Sequence, residues 1–189
     1  EEALDTLRRF DVDIYVRASE GMNLLHRTVA DDSNFDQQRI SLLLGKYRFD
    51  IDEGDAEGFP PLLLAARAMR GDTVRYLLDR GADRHAASDG GVRFLHMVAY
   101  GDLPFLVKRC LSEGDDVNMT NNRGNTPLHF ALTNGHGRVA EMLLETGADP
   151  NRTNHKGERP VDMLRWTPVP PEMEEPFREL LRRYGATDV

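Results

Sequence analysis

The sequence predicts an all-α fold: a solenoid of about five helix-turn-helix repeats, carrying projecting β-hairpin loops and closed by polar caps. Two glycine series and one well-formed unit predict it. Gly58, Gly91, Gly124 and Gly157 recur at a constant step of 33 residues. Gly81, Gly114 and Gly147 keep the same step, each 23 residues behind its partner in the first series. A fixed period of this length marks an array in which each repeat buries its apolar face only against its neighbours. One repeat shows the unit almost complete: Arg123-Gly124-Asn125-Thr126-Pro127-Leu128-His129-Phe130-Ala131, then Val139 to Leu144, then Gly147-Ala148-Asp149-Pro150-Asn151.

The elements follow in chain order within one domain spanning residues 1–189. Ala3, Leu4, Leu7 and Phe10 form a short apolar face that predicts a capping helix over 1–12. Repeat one, 13–52, is divergent. It opens at Gly21-Met22-Asn23-Leu24-Leu25-His26, and the interval of 37 to Gly58 assigns it four extra residues, mostly within Asp31–Asp36. Repeat two, 53–85, is expected to follow the plan of repeat four through Leu62, Ala65, Val74, Leu77 and Leu78, closing at Gly81. Repeat three, 86–118, is expected to be distorted. Gly91 to Gly101 is one residue shorter than Gly124 to Gly135, the following interval to Gly114 is one longer, and Pro104 is tolerated only in a first helical turn.

Repeat four, 119–151, is the template. Thr126 suits an N-cap because its hydroxyl can accept from an unpaired backbone N–H of the first turn. Pro127 suits the first helical position, where its missing N–H costs little. Asn134-Gly135 ends the first helix, and Val139, Met142, Leu143 and Leu144 give the second a wide apolar stripe. Asp149 to Gly157 is polar and turn-rich, as a projecting loop requires. Repeat five, 152–189, ends in a cap where Phe177, Leu180 and Leu181 alternate with charged residues. Gly185 falls five residues late, and the excess lies in the proline-rich segment Pro168–Pro176.

The Gly-x-Thr-Pro-Leu-His-x-Ala start, apolar second helix and Gly-Ala-Asp end resemble an ankyrin repeat. Other repeats depart from it: Gly58-Phe59-Pro60-Pro61-Leu62-Leu63 has Pro for Thr and Leu for His. Gly91-Val92-Arg93-Phe94-Leu95-His96 lacks Thr and Pro, and Gly157-Glu158-Arg159-Pro160-Val161-Asp162 puts Asp at the His position. The resemblance implies a non-catalytic interaction module, a scaffold or adaptor that binds another protein or peptide through loop tips and the inner helix face. The alternative is a regulatory or targeting domain of a larger enzyme or channel. By position it offers Phe59 and Arg67 in repeat two, and Asp89, Val92 and Tyr100 in repeat three. Repeat four offers Asn122, Arg123, Asn125, Thr133 and Asn134. Repeat five offers His155, Lys156, Glu158 and Trp166. Trp166 either anchors a partner, as tryptophan often does at interfaces, or packs beneath the proline-rich loop. Asn118 and Asn151 resemble the position modified by asparaginyl hydroxylases, against the plainer reading that each stabilises its turn.

Composition narrows the alternatives. A net charge of −8 disfavours binding to a phosphate backbone, which needs clustered Lys and Arg. The longest apolar run, Leu62–Ala66, is too short for membrane insertion. The opening residues lack a signal-peptide pattern, and the chain begins at Glu1 rather than methionine, as an excised or processed fragment would. One cysteine, Cys110, excludes an internal disulfide and fits a reducing compartment, so an intracellular location is expected, cytoplasm favoured over nucleus, with the isolated chain monomeric. Cys110 reads as a buried apolar residue. His26, His96 and His129 share one repeat position and read as helix-start histidines tying loop to loop, not as metal ligands. No cofactor, metal or catalytic residue is expected. The loop clusters Asp50, Asp52, Glu53, Asp55, Glu57 and Arg152, His155, Lys156, Arg159, Arg165 read either as solvated loop charge or as a gradient that orients a partner.

Overall fold

The computed structural model describes residues 20–31, 37–166 and 174–187. The capping helix expected over 1–12, most of the insertion at 31–36 and most of the proline-rich segment lie outside the described residues. The chain divides into two compact units, residues 1–89 and 90–189. Among the described residues every element is helical.

The first unit holds α1 (Leu24–Ala30), α2 (Gln37–Gly45), α3 (Pro61–Arg67) and α4 (Gly71–Asp79). α1 packs on α2 and on α3, and α3 packs on α4. The second unit holds α5 (Phe94–Tyr100), α6 (Pro104–Ser112), α7 (Pro127–Thr133), α8 (Gly137–Glu145), a 3₁₀ helix (Pro160–Trp166) and α9 (Glu175–Arg183). The first helices form a row, α5 on α7 and α7 on the 3₁₀ helix, with α6, α8 and α9 behind them. Leu128, Ala131 and Leu132 of α7 and Val139, Ala140 and Leu143 of α8 are fully buried between these rows. Each leucine contributes roughly 2 kcal/mol. Met142, expected in that stripe, is instead half-buried. Cys110 is buried on α6.

The expected distortion of repeat three is not there. α3, α5 and α7 start at 61, 94 and 127, and α4, α6 and α8 at 71, 104 and 137, so the step of 33 is unbroken. Gly101 is not the counterpart of Gly135; Asp102 is. Met69 (φ 60), Asp102 (φ 47) and Gly135 (φ 71) hold the same left-handed corner between paired helices, and only the last is a glycine. Pro104 sits in the first turn of α6, where it removes no helical hydrogen bond. In repeat one the extra residues do fall mainly between the helices. Ala30 and Gln37 are separated by six residues where Arg67 and Gly71 are separated by three.

The expected β-hairpins are not strand pairs among the described residues. Three of the connecting loops reverse through turns braced by an Asx side chain, and the loop at 86–92 carries Ser88 at that place. Asn121 N–H donates to Asn125 O at 3.1 Å, and Asn154 N–H to Glu158 O at 2.8 Å. Within each turn one Asx oxygen accepts two amides: Asn121 Oδ1 from Arg123 N and Asn125 N, Asn154 Oδ1 from Lys156 N and Glu158 N, and Asp55 Oδ1 from Glu57 N and Phe59 N.

Candidate partner-binding face

Neighbouring loops are stitched to one another, and this fixes where their tips stand. Asp89 N–H donates to Glu57 O at 3.0 Å in the first unit. In the second, Asn122 N–H donates to Gly90 O and His155 N–H to Arg123 O, each at 2.9 Å. Such close passage explains Gly58, Gly91 and Gly124 of the first glycine series, whereas Gly157 meets only the left-handed requirement, at φ +76°. A Cβ on Gly124 would lie 2.9 Å from His155 N, and its φ of +78° is left-handed besides.

A second stitch comes from the repeated histidine. Arg93 N–H donates to His96 Nδ1 at 3.1 Å, and Thr126 N–H to His129 Nδ1 at 3.1 Å. On the far side of each ring, Nε2 faces a carbonyl of the following loop: Asn125 O at 3.2 Å for His96, and Glu158 O at 3.1 Å for His129. His26 does the same between Asn23 N–H and Glu53 O. Nδ1 must accept and Nε2 must donate, so each ring is the neutral Nε2–H tautomer. Burial pushes His96 down to about 4 from 6.5, and burial lowers His129 as well. The His96 ring also rests on Phe130, centroids 5.2 Å apart.

The departures from the motif follow the same chemistry. In repeat two the N-cap is Pro60, which has no N–H to satisfy, so Leu63 takes the histidine position and is buried. In repeat five Asp162 Oδ2 accepts from Arg159 N–H at 2.7 Å. A carboxylate does the accepting half of the histidine's work and none of the donating half.

These bonds sort the residues singled out from the sequence. Val92 is 8% exposed and therefore supports the core rather than the surface. Asn125 and Glu158 lend their carbonyls to the histidines. Asn125 Oδ1 also accepts from Asn154 Nδ2 at 2.8 Å, and Glu158 pairs with Arg165 at 2.7 Å. Thr133 Oγ1 donates to His129 O at 2.8 Å. Asn134 Nδ2 and His136 Nε2 both meet Tyr100 O, at 3.0 and 2.9 Å, and the half-buried Tyr100 ring stands edge-on to Phe130. Phe59 is half-buried in the first unit, where Arg67 and Asp89 are exposed. In the second unit Asn122, Arg123, His155 and Lys156 are exposed at the loop tips. Trp166 is 66% exposed at the end of the 3₁₀ helix, with the Arg165 guanidinium 5.6 Å from its ring centre. Arg67, Tyr100, Thr133 and Trp166 are the last residues of four successive first helices.

Asn118 and Asn151 brace the loop bases. Asn118 Nδ2 donates to Gly147 O while its Oδ1 accepts from Asp149 N–H, and Asn151 does the same with Gly185 O and Thr187 N–H. The sequence reading passed over Asn121, Asn154 and Asp55 as turn organisers. Their signal was an Asx residue three before the loop glycine, repeating in step with it. Among the described residues no group of three or more His, Cys, Asp or Glu side chains is placed to hold a metal ion, and no helix is long and apolar enough to cross a membrane.

Comparison with known proteins agrees with this geometry. A family model for ankyrin repeats in three copies matches residues 81–154, and a single-repeat ankyrin model matches residues 57–89. The chain is 29% identical over 130 residues to neurogenic locus notch homolog protein 1 of Homo sapiens, covering 69% of this chain and 5% of that protein. It is 33% identical over 129 residues to the B-cell lymphoma 3 protein homolog of Mus musculus, covering 68% and 28%. It is 31% identical over 133 residues to transient receptor potential cation channel subfamily A member 1 of Homo sapiens, covering 66% and 11%. The chain therefore spans well under a third of the length of these relatives. With matched segments running from residue 57 to 154 on helices that keep the motif's own spacing, the chain belongs to the ankyrin-repeat family.

Proposed function

We propose that the chain is a non-catalytic docking module, a scaffold or adaptor that holds a partner protein or peptide against its loop tips and the ends of its first helices. Ankyrin repeats are protein-interaction modules as a class, which supports the reading at the coarse level. The observation that carries the finer one is Trp166. A large aromatic ring left 66% exposed serves no core, and it stands at the end of the 3₁₀ helix that follows α7 in the row. Tryptophan at such a place adds large apolar contact area on binding. Exposed Asn122, Arg123, His155 and Lys156 supply polar contacts that select a partner.

The module is read as monomeric and intracellular, in keeping with a single buried thiol. A second reading, a regulatory or targeting segment of a larger enzyme or channel, is favoured by the similarity to a much longer channel subunit. Either way the chain binds and does not react.

The test is affinity capture with the whole chain beside a Trp166→Ala variant of unchanged circular dichroism and melting. That variant is expected to lose the proteins that the parent retains. An identical captured set would show that this face does not dock partners.

A further inference from the structure

The docking face of the second unit is chemically one-sided. From Val117 to Ala140 there is no aspartate or glutamate at all, although the chain as a whole carries a net charge of −8. Glu141 and Glu145 follow on α8, and Asp149 stands at the base of the next loop, where its Oδ1 accepts from Asn151 N–H at 2.8 Å. Beyond it, along 150–166, the two acids are both engaged. Glu158 is held by Arg165 at 2.7 Å, and Asp162 accepts from the Arg159 amide at 2.7 Å with the Arg159 guanidinium 3.9 Å away. Arg123, Arg152 and Lys156 remain exposed on the same loops, with no carboxylate between them in sequence along 117–140 or 150–157. The backbone bond from His155 N–H to Arg123 O places the Arg123 tip directly against the tip that bears His155 and Lys156. On the adjoining 3₁₀ helix stands the exposed Trp166 ring.

Resting on the docking function proposed above, we propose that this face takes an acidic peptide segment. Its carboxylates would lie along Arg123, Arg152 and Lys156, and one apolar or aromatic side chain would rest on Trp166. Three exposed cations on two neighbouring loops, with an exposed aromatic ring at the far end of the adjoining 3₁₀ helix, suit an extended segment carrying a short run of carboxylates, each ion pair adding modestly and the set fixing direction. They do not suit a nucleic acid. Its affinity grows with the number of phosphates neutralised, and this chain's overall negative charge opposes that approach.

The experiment uses the whole chain and a fluorescein-labelled synthetic peptide of Glu residues flanking a Leu-Phe pair. Its companions are the same peptide with Gln for Glu, the same with Lys for Glu, and labelled oligothymidylate. Anisotropy follows binding, and emission of Trp166, the sole tryptophan, reports contact with the ring. The acidic peptide is expected to bind, weaken with added salt, and shift Trp166 emission. The Arg123→Glu/Lys156→Glu variant should bind it about tenfold or more weakly. Lys108→Glu/Arg138→Glu on α6 and α8, which makes the same charge change away from the loops, should bind it unchanged.

Equal binding of the Gln or Lys peptide, tighter binding of the oligonucleotide, no binding of the acidic peptide, or no loss in the double reversal would each overturn the proposal. If captured partners were lost with Trp166→Ala but retained with the double reversal, docking would stand and the acidic assignment alone would fall.

Discussion

Replacing His96 by glutamine should flatten the acid sensitivity of this fold by a calculable amount. The buried ring holds the neutral form, with its proton affinity lowered from 6.5 to about 4 by loss of hydration. At about 1.4 kcal/mol per tenfold change in affinity, that is about 3 kcal/mol of preference for neutrality in the folded state. The sign follows from where protons bind. Below pH 6.5 the unfolded chain takes up a proton that the folded ring refuses until about pH 4. Stability from this residue is therefore complete above pH 6.5 and declines as pH falls through the window between those values. At pH 5 the loss relative to pH 7 is about 2 kcal/mol, a sizeable fraction of the stability of an ordinary domain. Urea unfolding followed by circular dichroism at pH 7 and pH 5, on the parent and on His96→Gln, isolates this residue because the carboxylates titrate alike in both. The parent should lose about 2 kcal/mol more than the variant between the two pH values. Equal losses would show that His96 is not a buried neutral ring bridging two loops.

Three further outcomes follow from the backbone and the surface. Gly124→Ala should lower stability by about 2 kcal/mol or more, since the added Cβ meets the His155 amide and the φ of +78° is strained for any side chain; thermal denaturation measures it. Met69→Gly should raise stability by about 1 kcal/mol, because Met69 occupies a left-handed corner at φ 60 and is 56% exposed, so little burial is lost; chemical denaturation would read the gain. Trp166→Ala should change stability by less than about 0.5 kcal/mol, as expected of a side chain outside the core; a larger loss in the same assay would place the ring in the core instead.

What was legible in the sequence was whatever repeats. The step of 33 located the helices, and the shared place of His26, His96 and His129 foretold their role as ties between loops. The error in repeat three came from trusting glycines as markers. Gly101 looked like the counterpart of Gly135, but the left-handed corner is a backbone requirement that Asp102 and Met69 also meet, at some cost. Identity of residue was the signal and conformation was the constraint, and the two parted there. The projecting loops reverse, among the described residues, through turns whose Asx organisers Asn121 and Asn154 were in plain view but read as ordinary polar residues. At the candidate face, position in the repeat picked out Arg123, His155, Lys156 and Trp166. It also picked Val92, Asn125, Thr133 and Asn134, whose side chains or carbonyls turn out to be committed to holding the protein together. Position alone cannot separate an outward-facing side chain from one that turns back, because that depends on the partner each one finds across a repeat boundary.

At Asp89, Asn122 and His155 the loop-to-loop bond is made by the main-chain amide, so that bond itself does not require one particular side chain. Asp89, Asn122 and His155 hold equivalent places, an imidazole standing in the third where the first two carry short Asx side chains, and their amides are anchored in the same way. On the docking face proposed above, the tip side chains can thus be varied while the amide anchors stay put. A library randomised at Asn122, Arg123, His155 and Lys156 should keep nearly all its members folded, and so offers a direct route to new specificities from an unchanged frame.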